Sequence, residues 1–327
     1  MILMTAFSPP PDQPQEPWPN LRAQPRTFFN APLCQDIEQL EADVAFIGVP
    51  FDQGTLGRPG ARFGPDALRD APRAYSYSDP YGRQSVAEGF FDIDAEDELL
   101  RGVVMADCGN VPIVPSEVVG NFGRITRAVE QAVERGALPA VVGGDHAITF
   151  PVVRGLSKFG PLNIVHFDAH LDYTHDVQDA LYTHASPIRR CRELEFVGHI
   201  TSVGIRSARR IPYEEAVRDG SLIVSGQRFR ELGPQAVADM IPTAENLYIT
   251  FDVDVLDPSQ APGTGTPETG GLFYQEAREC LLALLARSNL VAFDIVEVAP
   301  PYDNSELTVQ VAARLMQDIL AARFPSR

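Results

Sequence analysis

The segment "IVHFDAHLDYTHD", Ile164 to Asp176, carries three aspartates and three histidines in thirteen positions, directly after an apolar run. Burying a charge without a partner is strongly unfavourable. Such a stretch is therefore either a solvated loop or the surround of a cation. Two other stretches share its character. "VVGGDH" ends an apolar run with two glycines and His146, and "YITFDVDVLDP" places Asp252 and Asp254 two apart. Side chains two apart on a strand point to the same side. That spacing groups Asp168, His170 and Asp172, and separately Asp252 with Asp254. With the three strand ends as neighbours, two histidines and four aspartates converge.

The donor set selects its chemistry. Four carboxylates packed together repel and raise one another's pKa. One divalent ion would leave excess negative charge, whereas two balance the four carboxylates. Oxygen donors with some imidazole and no thiolate suit Mn²⁺ better than structural zinc. Two ions about 3.5–4 Å apart can hold and ionise a shared water, giving a hydroxide nucleophile at neutral pH. Taken singly, a DxD is commonly a turn or helix cap, and one histidine is commonly a satisfied core residue. The recurrence of three clusters, each after an apolar strand, separates them from that background.

The elements that must position these residues alternate along the chain. "ADVAFIGVPF", "VVMADCGNVP", "LPAVVGGDHA", "LNIVHFDAHLD", "ITSVGIRS", "SLIVSG", "ENLYITFDVDVLD" and "LVAFDIVEVAP" read as short, nearly continuous apolar strands, as expected of strands covered on both faces. "EVVGNFGRITRAVEQAVERGA" has helical spacing at Ile125, Val129 and Val133, with Gly136 as its stop. "GPDALRDA", "YQEARECLLALLAR" and "SELTVQVAARLMQDILAAR" are further helices. Strands separated by helices imply an α/β fold, a mostly parallel sheet with helices on both faces. Ligands then sit beyond the carboxyl ends of the strands, where every polar cluster above falls. Residues 5–32 are rich in proline, which removes backbone donors. The expected organisation is a proline-rich arm over residues 1–35 and a single domain over residues 36–327.

Composition narrows the partners. The 327 residues carry a net charge of −17, which disfavours a nucleic-acid partner because phosphate binding needs a basic face. No run of about 18 apolar residues predicts a membrane span. Cys34, Cys108, Cys191 and Cys280 are scattered without a CxxC pair, as expected of reduced thiols. The opening "MILMTAF" lacks the basic region and cleavage pattern of a signal peptide. A cytoplasmic location is expected.

"GGDH", "HFDAHLD" and "FDVDVLDPSQAPGTGTPETGGL" resemble the ureohydrolases, the arginase and agmatinase family, with "GVPFDQGTLGRPGARFGPDALR" and "FDIVEVAPPYD" reinforcing the match. The resemblance runs from about Val44 to Leu320 and is to agmatinase-type members. It implies a three-layer αβα sandwich. It makes His146, Asp168, Asp172 and Asp252 ligands of one Mn²⁺, and His170, Asp168, Asp252 and Asp254 ligands of the other. Glu297 matches the glutamate that anchors the guanidinium, and Thr266 lines the same end of the pocket. His184 matches the proton-shuttling histidine, although the family's usual His-Gly is His184-Ala185 here. Asp172 would accept a proton during turnover. The implied substrate is a small guanidino compound cleaved to urea and an amine.

The loop "YTHDVQDALYT" between Asp172 and His184 should read the substrate's tail. It lacks the asparagine and serine that arginases carry there. Its Asp176 and Asp179 suit the cationic tail of agmatine, the first-ranked substrate. Arg189 and Arg190 would serve guanidinobutyrate or guanidinopropionate, ranked second. His166 is assigned to the core, out of phase with Asp168; His175 is assigned to solvent, and His199 has no evident role. A homo-oligomer, trimer or hexamer, is expected by analogy.

Overall fold

Runs such as "VAFIG" are apolar at every position because the strand they form has no solvent face. The structure, a computed structural model, describes residues 26–71, 89–93 and 95–325. The strands are β1 (Val44–Gly48), β2 (Phe90–Asp92), β3 (Asp97–Leu99), β4 (Met105–Asn110), β5 (Leu138–Val142), β6 (Leu162–Phe167), β7 (Val197–Ile205), β8 (Leu222–Ser225), β9 (Leu247–Asp252) and β10 (Leu290–Val296). Among the described residues, eight of these form one sheet in the order β4-β1-β5-β10-β9-β6-β7-β8, with every pairing parallel. β2 and β3 make a small antiparallel hairpin that the sequence pattern did not announce.

Helices cover both faces, giving the expected three layers. Alternate residues of β1 serve opposite sides. Val44 and Phe46 join one apolar cluster and Ala45 and Ile47 the other. The first cluster is filled by α1 (Gly64–Asp70), α6 (Gly226–Leu232), α7 (Pro234–Met240), α8 (Tyr274–Leu285) and α9 (Leu307–Arg323). The second is filled by α2 (Val118–Glu134), α3 (Thr149–Arg154), α4 (Pro187–Arg192) and α5 (Arg210–Arg218). In α2, Ile125, Val129 and Val133 are all buried, as their spacing predicts, and Gly136 follows the helix at φ 81°. All seven residues of β10 are buried. At about 1.5–3 kcal/mol for each large apolar side chain, this strand fixes the centre of the sheet.

Residues 1–25 of the proline-rich segment lie outside the described residues. From Arg26 onward the chain packs closely. Phe28 and Phe29 are buried, with ring centroids 5.3 and 5.5 Å from that of Phe46. Leu33 forms a parallel bridge with Asp107, so this stretch extends the sheet beyond β4.

The turn after β5 depends on Gly144. A Cβ there would lie 2.0 Å from the Phe51 carbonyl oxygen, which is backbone and cannot swing aside. Gly144→Ala should therefore destabilise the fold by about 1–3 kcal/mol. That corresponds to a Tm lower by several degrees, roughly 2–4 °C per kcal/mol at this size. A thermal melt matching that of the parent protein would count against this tight approach.

Candidate metal centre and active site

Four consecutive strands, β5, β10, β9 and β6, occupy the middle of the sheet, and each delivers polar residues just past its carboxyl end. His146 begins a short 3₁₀ turn after β5, capped by Asp145, whose side chain accepts the Ala147 amide. Glu297 follows β10 directly. Asp252 is the last residue of β9, and Asp254 lies in the 3₁₀ turn Val253–Val255. Asp168, His170 and Asp172 follow the end of β6. Strand alternation is therefore not what aligns them. Asp254 is aligned by its turn, where its amide donates to the Asp252 carboxylate at 2.8 Å. The Asp168 carboxylate accepts the His170 amide, and Asp254 accepts the amide of Ala169 at 3.1 Å.

The six expected ligands do come together. His146 Nδ1 lies 3.0, 3.1 and 3.2 Å from carboxylate oxygens of Asp168, Asp172 and Asp252. His170 Nδ1 lies 3.0 Å from Asp254 and 3.4 Å from Asp168. All except His170 are buried. Nδ1 of His146 makes no well-directed hydrogen bond despite its three neighbours. Its Nε2 is committed to the Thr250 hydroxyl at 2.9 Å. Thr250 meets Thr149 at 3.1 Å, Thr149 donates to Asp294 at 2.6 Å, and Tyr248 donates to the same carboxylate. This buried chain turns the Nδ1 edge of the ring toward three carboxylates. A single proton there cannot serve all three oxygens, whereas a cation can. The donor set fits a pair of hard or borderline divalent ions.

Electrostatics carry the same message. Burial, then the charges of Asp254 and Asp168, raise the Asp252 pKa well above the usual carboxylate range. Burial and Asp168 push Asp254 up to about 6. Burial opposes a proton on His146, but Asp168, Asp172 and Asp252 outweigh it and raise its pKa well above the usual value. Without a cation the cluster holds extra protons.

Glu297 is 2 % exposed and sits at φ 63°, a strained backbone for a residue with a Cβ. Its amide donates to the Gly144 carbonyl at 2.9 Å. One carboxylate oxygen accepts the His146 amide at 2.9 Å and lies 3.1 Å from His184 Nδ1. The Leu56 amide donates to His184 Nε2 at 3.1 Å, so Nδ1 carries the ring proton in this arrangement. Burial opposes a second proton on His184, while Glu297, Asp145 and Asp172 push its pKa up to about 9. Protonating Nε2 would first break the Leu56 bond. Asp145 accepts the Gly54 amide at 2.7 Å, and the Gly54 carbonyl accepts the His184 amide at 2.9 Å. The loop after β1 thus clasps His184. Thr266 donates to Asp254 at 3.2 Å.

These residues line a cavity of about 240 Å³. His170, Asp172, His184, Asp252, Thr266 and Glu297 all contribute to its wall. Of the loop expected to read a tail, Tyr173 and Thr174 line it, but the two aspartates do not. Asp176 is exposed, paired to His175 at 3.0 Å, and accepts the Asp179 amide. Arg189 is held by Glu193, Glu215 and Asp219, and Arg190 by Glu193. Ser207, Ala208 and Arg209 line the cavity as well, from just past β7. The sequence did hold a signal for them, since "ITSVGIRS" reads as a strand whose carboxyl end is where ligands gather. His166 corrects a second expectation. It is buried, as anticipated, but its Nε2 lies 2.8 Å from Asp168. Positions 166 and 168 are two apart and share a side. Its Nδ1 lies 3.0 Å from the Ser202 hydroxyl.

The arginase family model matches residues 42–322. Guanidinopropionase from Pseudomonas aeruginosa is 37 % identical over 90 % of this chain and 90 % of its own. Agmatinase from Bacillus subtilis is 33 % identical over 86 % of this chain and 91 % of its own. Among solved structures, proclavaminate amidino hydrolase from Streptomyces clavuligerus superposes with a TM-score of 0.78 at 30 % identity, covering 92 % of this chain and 97 % of that one. The chain belongs to the arginase family and is an agmatinase-like ureohydrolase.

Metal occupancy should show in stability. In metal-free protein Asp254 titrates near 6 instead of its usual 3.8, so the fold holds the extra proton in that window. Its contribution to stability falls as pH rises from about 4 to 6. Divalent ions replace such protons, so the Tm gain on adding Mn²⁺ to chelator-stripped protein should grow from about pH 5 to 7. A gain that is absent or flat with pH would contradict ion binding at this cluster.

Proposed function

We propose that this chain is a binuclear manganese hydrolase that splits a small guanidino compound into urea and an amine. The observation that carries the reading is the His146 Nδ1 edge, turned toward three buried carboxylates and lacking a directed partner. His146, Asp168, Asp172 and Asp252 would hold one ion. His170, Asp168, Asp252 and Asp254 would hold the second, with Asp168 and Asp252 shared. Bound there, two divalent ions lower the pKa of a shared water and stabilise developing negative charge.

The chain's own residues do the rest. Glu297 accepts parallel N–H bonds from the planar guanidinium and fixes the carbon for attack. Water adds to that carbon, and its proton passes to Asp172, which lies against His146. The bond from carbon to the tail nitrogen then breaks. As it breaks, the tail nitrogen takes up the proton held by Asp172, with His184, held at Nδ1 against Glu297, relaying it. The hydroxyl proton left on the urea carbon then passes to the free amine. Thr266, on the cavity wall, fixes Asp254 behind it. A homo-oligomer, trimer or hexamer, belongs to this reading on family analogy alone. A cytoplasmic setting rests on four unpaired cysteines. Among the described residues, no helix is long and apolar enough to cross a membrane.

Agmatine ranks first on sequence and the guanidino acids second, but Asp176 and Asp179, the grounds for agmatine, do not line the cavity. Mn²⁺-loaded protein should release urea from at least one of agmatine, guanidinobutyrate and guanidinopropionate, with two ions bound per chain. Glu297→Gln should lower kcat/KM by about a hundredfold or more, as expected when a buried charged partner is lost. Asp254→Ala should lose nearly all activity and bind less metal. One ion per chain together with amide deacetylation would move the protein to a different hydrolase class.

A further inference from the structure

We propose that Arg209 binds the tail carboxylate of the substrate, and that the preferred substrate is a short ω-guanidino acid rather than agmatine. This rests on the ureohydrolase reading above and specifies it at the opposite end of the substrate from Glu297.

Three arginines follow one another closely past β7, and they are used differently. Arg206 donates to the backbone carbonyls of Asp254 and Glu268 at its NH2 group and is consumed by holding the loops together. Arg210 pairs with Glu214 at 2.7 Å along α5. Arg209 lines the cavity, and among the described residues its guanidinium has no hydrogen-bond or ion-pair partner. Its backbone is committed, since its carbonyl accepts the Tyr213 amide at the start of α5. The root of the side chain is thus anchored on a helix end, while its charge is unspent.

The cavity's wall runs from buried groups to open ones. Asp172, Asp252 and Glu297 are buried, whereas Ala208 and Arg209 are exposed. A guanidinium seated on Glu297 therefore directs its tail toward the open side. There the unpaired charge is positive. A carboxylate tail can take two parallel N–H bonds from a guanidinium fork. Agmatine's ammonium would instead face a like charge, and such repulsion discriminates as effectively as attraction. The overall charge of −17 attracts cations from afar. That field is screened beyond about 8 Å at physiological salt, whereas Arg209 acts on the bound tail directly. A cavity of about 240 Å³ is small, which suits a short acid.

The test compares kcat and KM for 3-guanidinopropionate, 4-guanidinobutyrate and agmatine in Mn²⁺-loaded protein. The parent should favour a guanidino acid. Arg209→Gln should raise KM for the acids about ten- to a hundredfold, the range for losing a hydrogen-bonded charge, with the loss mainly in KM rather than kcat. Arg209→Lys should recover part of it, and Arg209→Glu should shift the ranking toward agmatine. An Asp176→Asn, Asp179→Asn double variant should leave the ranking as it was. Preference for agmatine in the parent, equal losses for all three substrates in Arg209→Gln, or a ranking moved by the loop variant would each overturn the assignment of Arg209 while leaving ureohydrolase activity intact. Failure to release urea from any guanidino compound by fully loaded protein overturns the underlying reading itself, and this assignment with it.

Discussion

Mutual repulsion among four buried aspartates is the constraint around which this molecule is arranged. Asp168, Asp172, Asp252 and Asp254 are each 9 % exposed or less, and three of them crowd a single imidazole nitrogen. Little bulk water reaches them at that depth, and an apolar core offers nothing. Compensating positive charge must come from protons or from metal ions. The surrounding structure is built to keep the carboxylates in place despite their repulsion. Backbone amides of His170, Ala169 and Asp254 donate to them, and a buried Tyr–Asp–Thr–Thr chain holds the His146 ring from behind.

Backbone conformation shows the same tension. Asp172 and Glu297 both have positive φ, 50° and 63°, where residues with a Cβ rarely sit. Each is pinned by neighbours on more than one element. The Asp172 carbonyl accepts the Ile188 amide from α4, and the Glu297 amide reaches Gly144 beyond β5. Two strained residues at the same cavity fit a site whose geometry is imposed by the sheet rather than chosen by the local chain.

Much of this was legible in the residues. Continuous apolar runs announced β1, β5, β6, β9 and β10, and the acidic ends of β6 and β9 announced a charged centre. What the runs do not encode is lateral order. Nothing in "VVGGDH" says that β10 and β9 lie between it and β6, because that order is set by how helices pack across the sheet. Strand periodicity also misled where the strand had already ended, as at Asp254, which a 3₁₀ turn swings into place. The hairpin of β2 and β3 escaped notice because each strand is only three residues long. Sequence proximity favoured Arg189 and Arg190 as anion partners, but both are spent on Glu193 and its neighbours. Arg209 is distant in sequence from every acidic motif and adjacent only in space.

The strand order has a corollary for substrate selection. The residues gathered around the His146 imidazole, and Glu297, hang from the four innermost strands, whereas Ser207, Ala208 and Arg209 hang from β7, one strand farther out. Arg206 and Ser207 are tied by their amides to Ala169, whereas the Arg209 side chain makes no bond to that inner frame. On the proposed assignment of Arg209, exchanging that one side chain would change which tail is read without moving the carboxylates held by the inner strands.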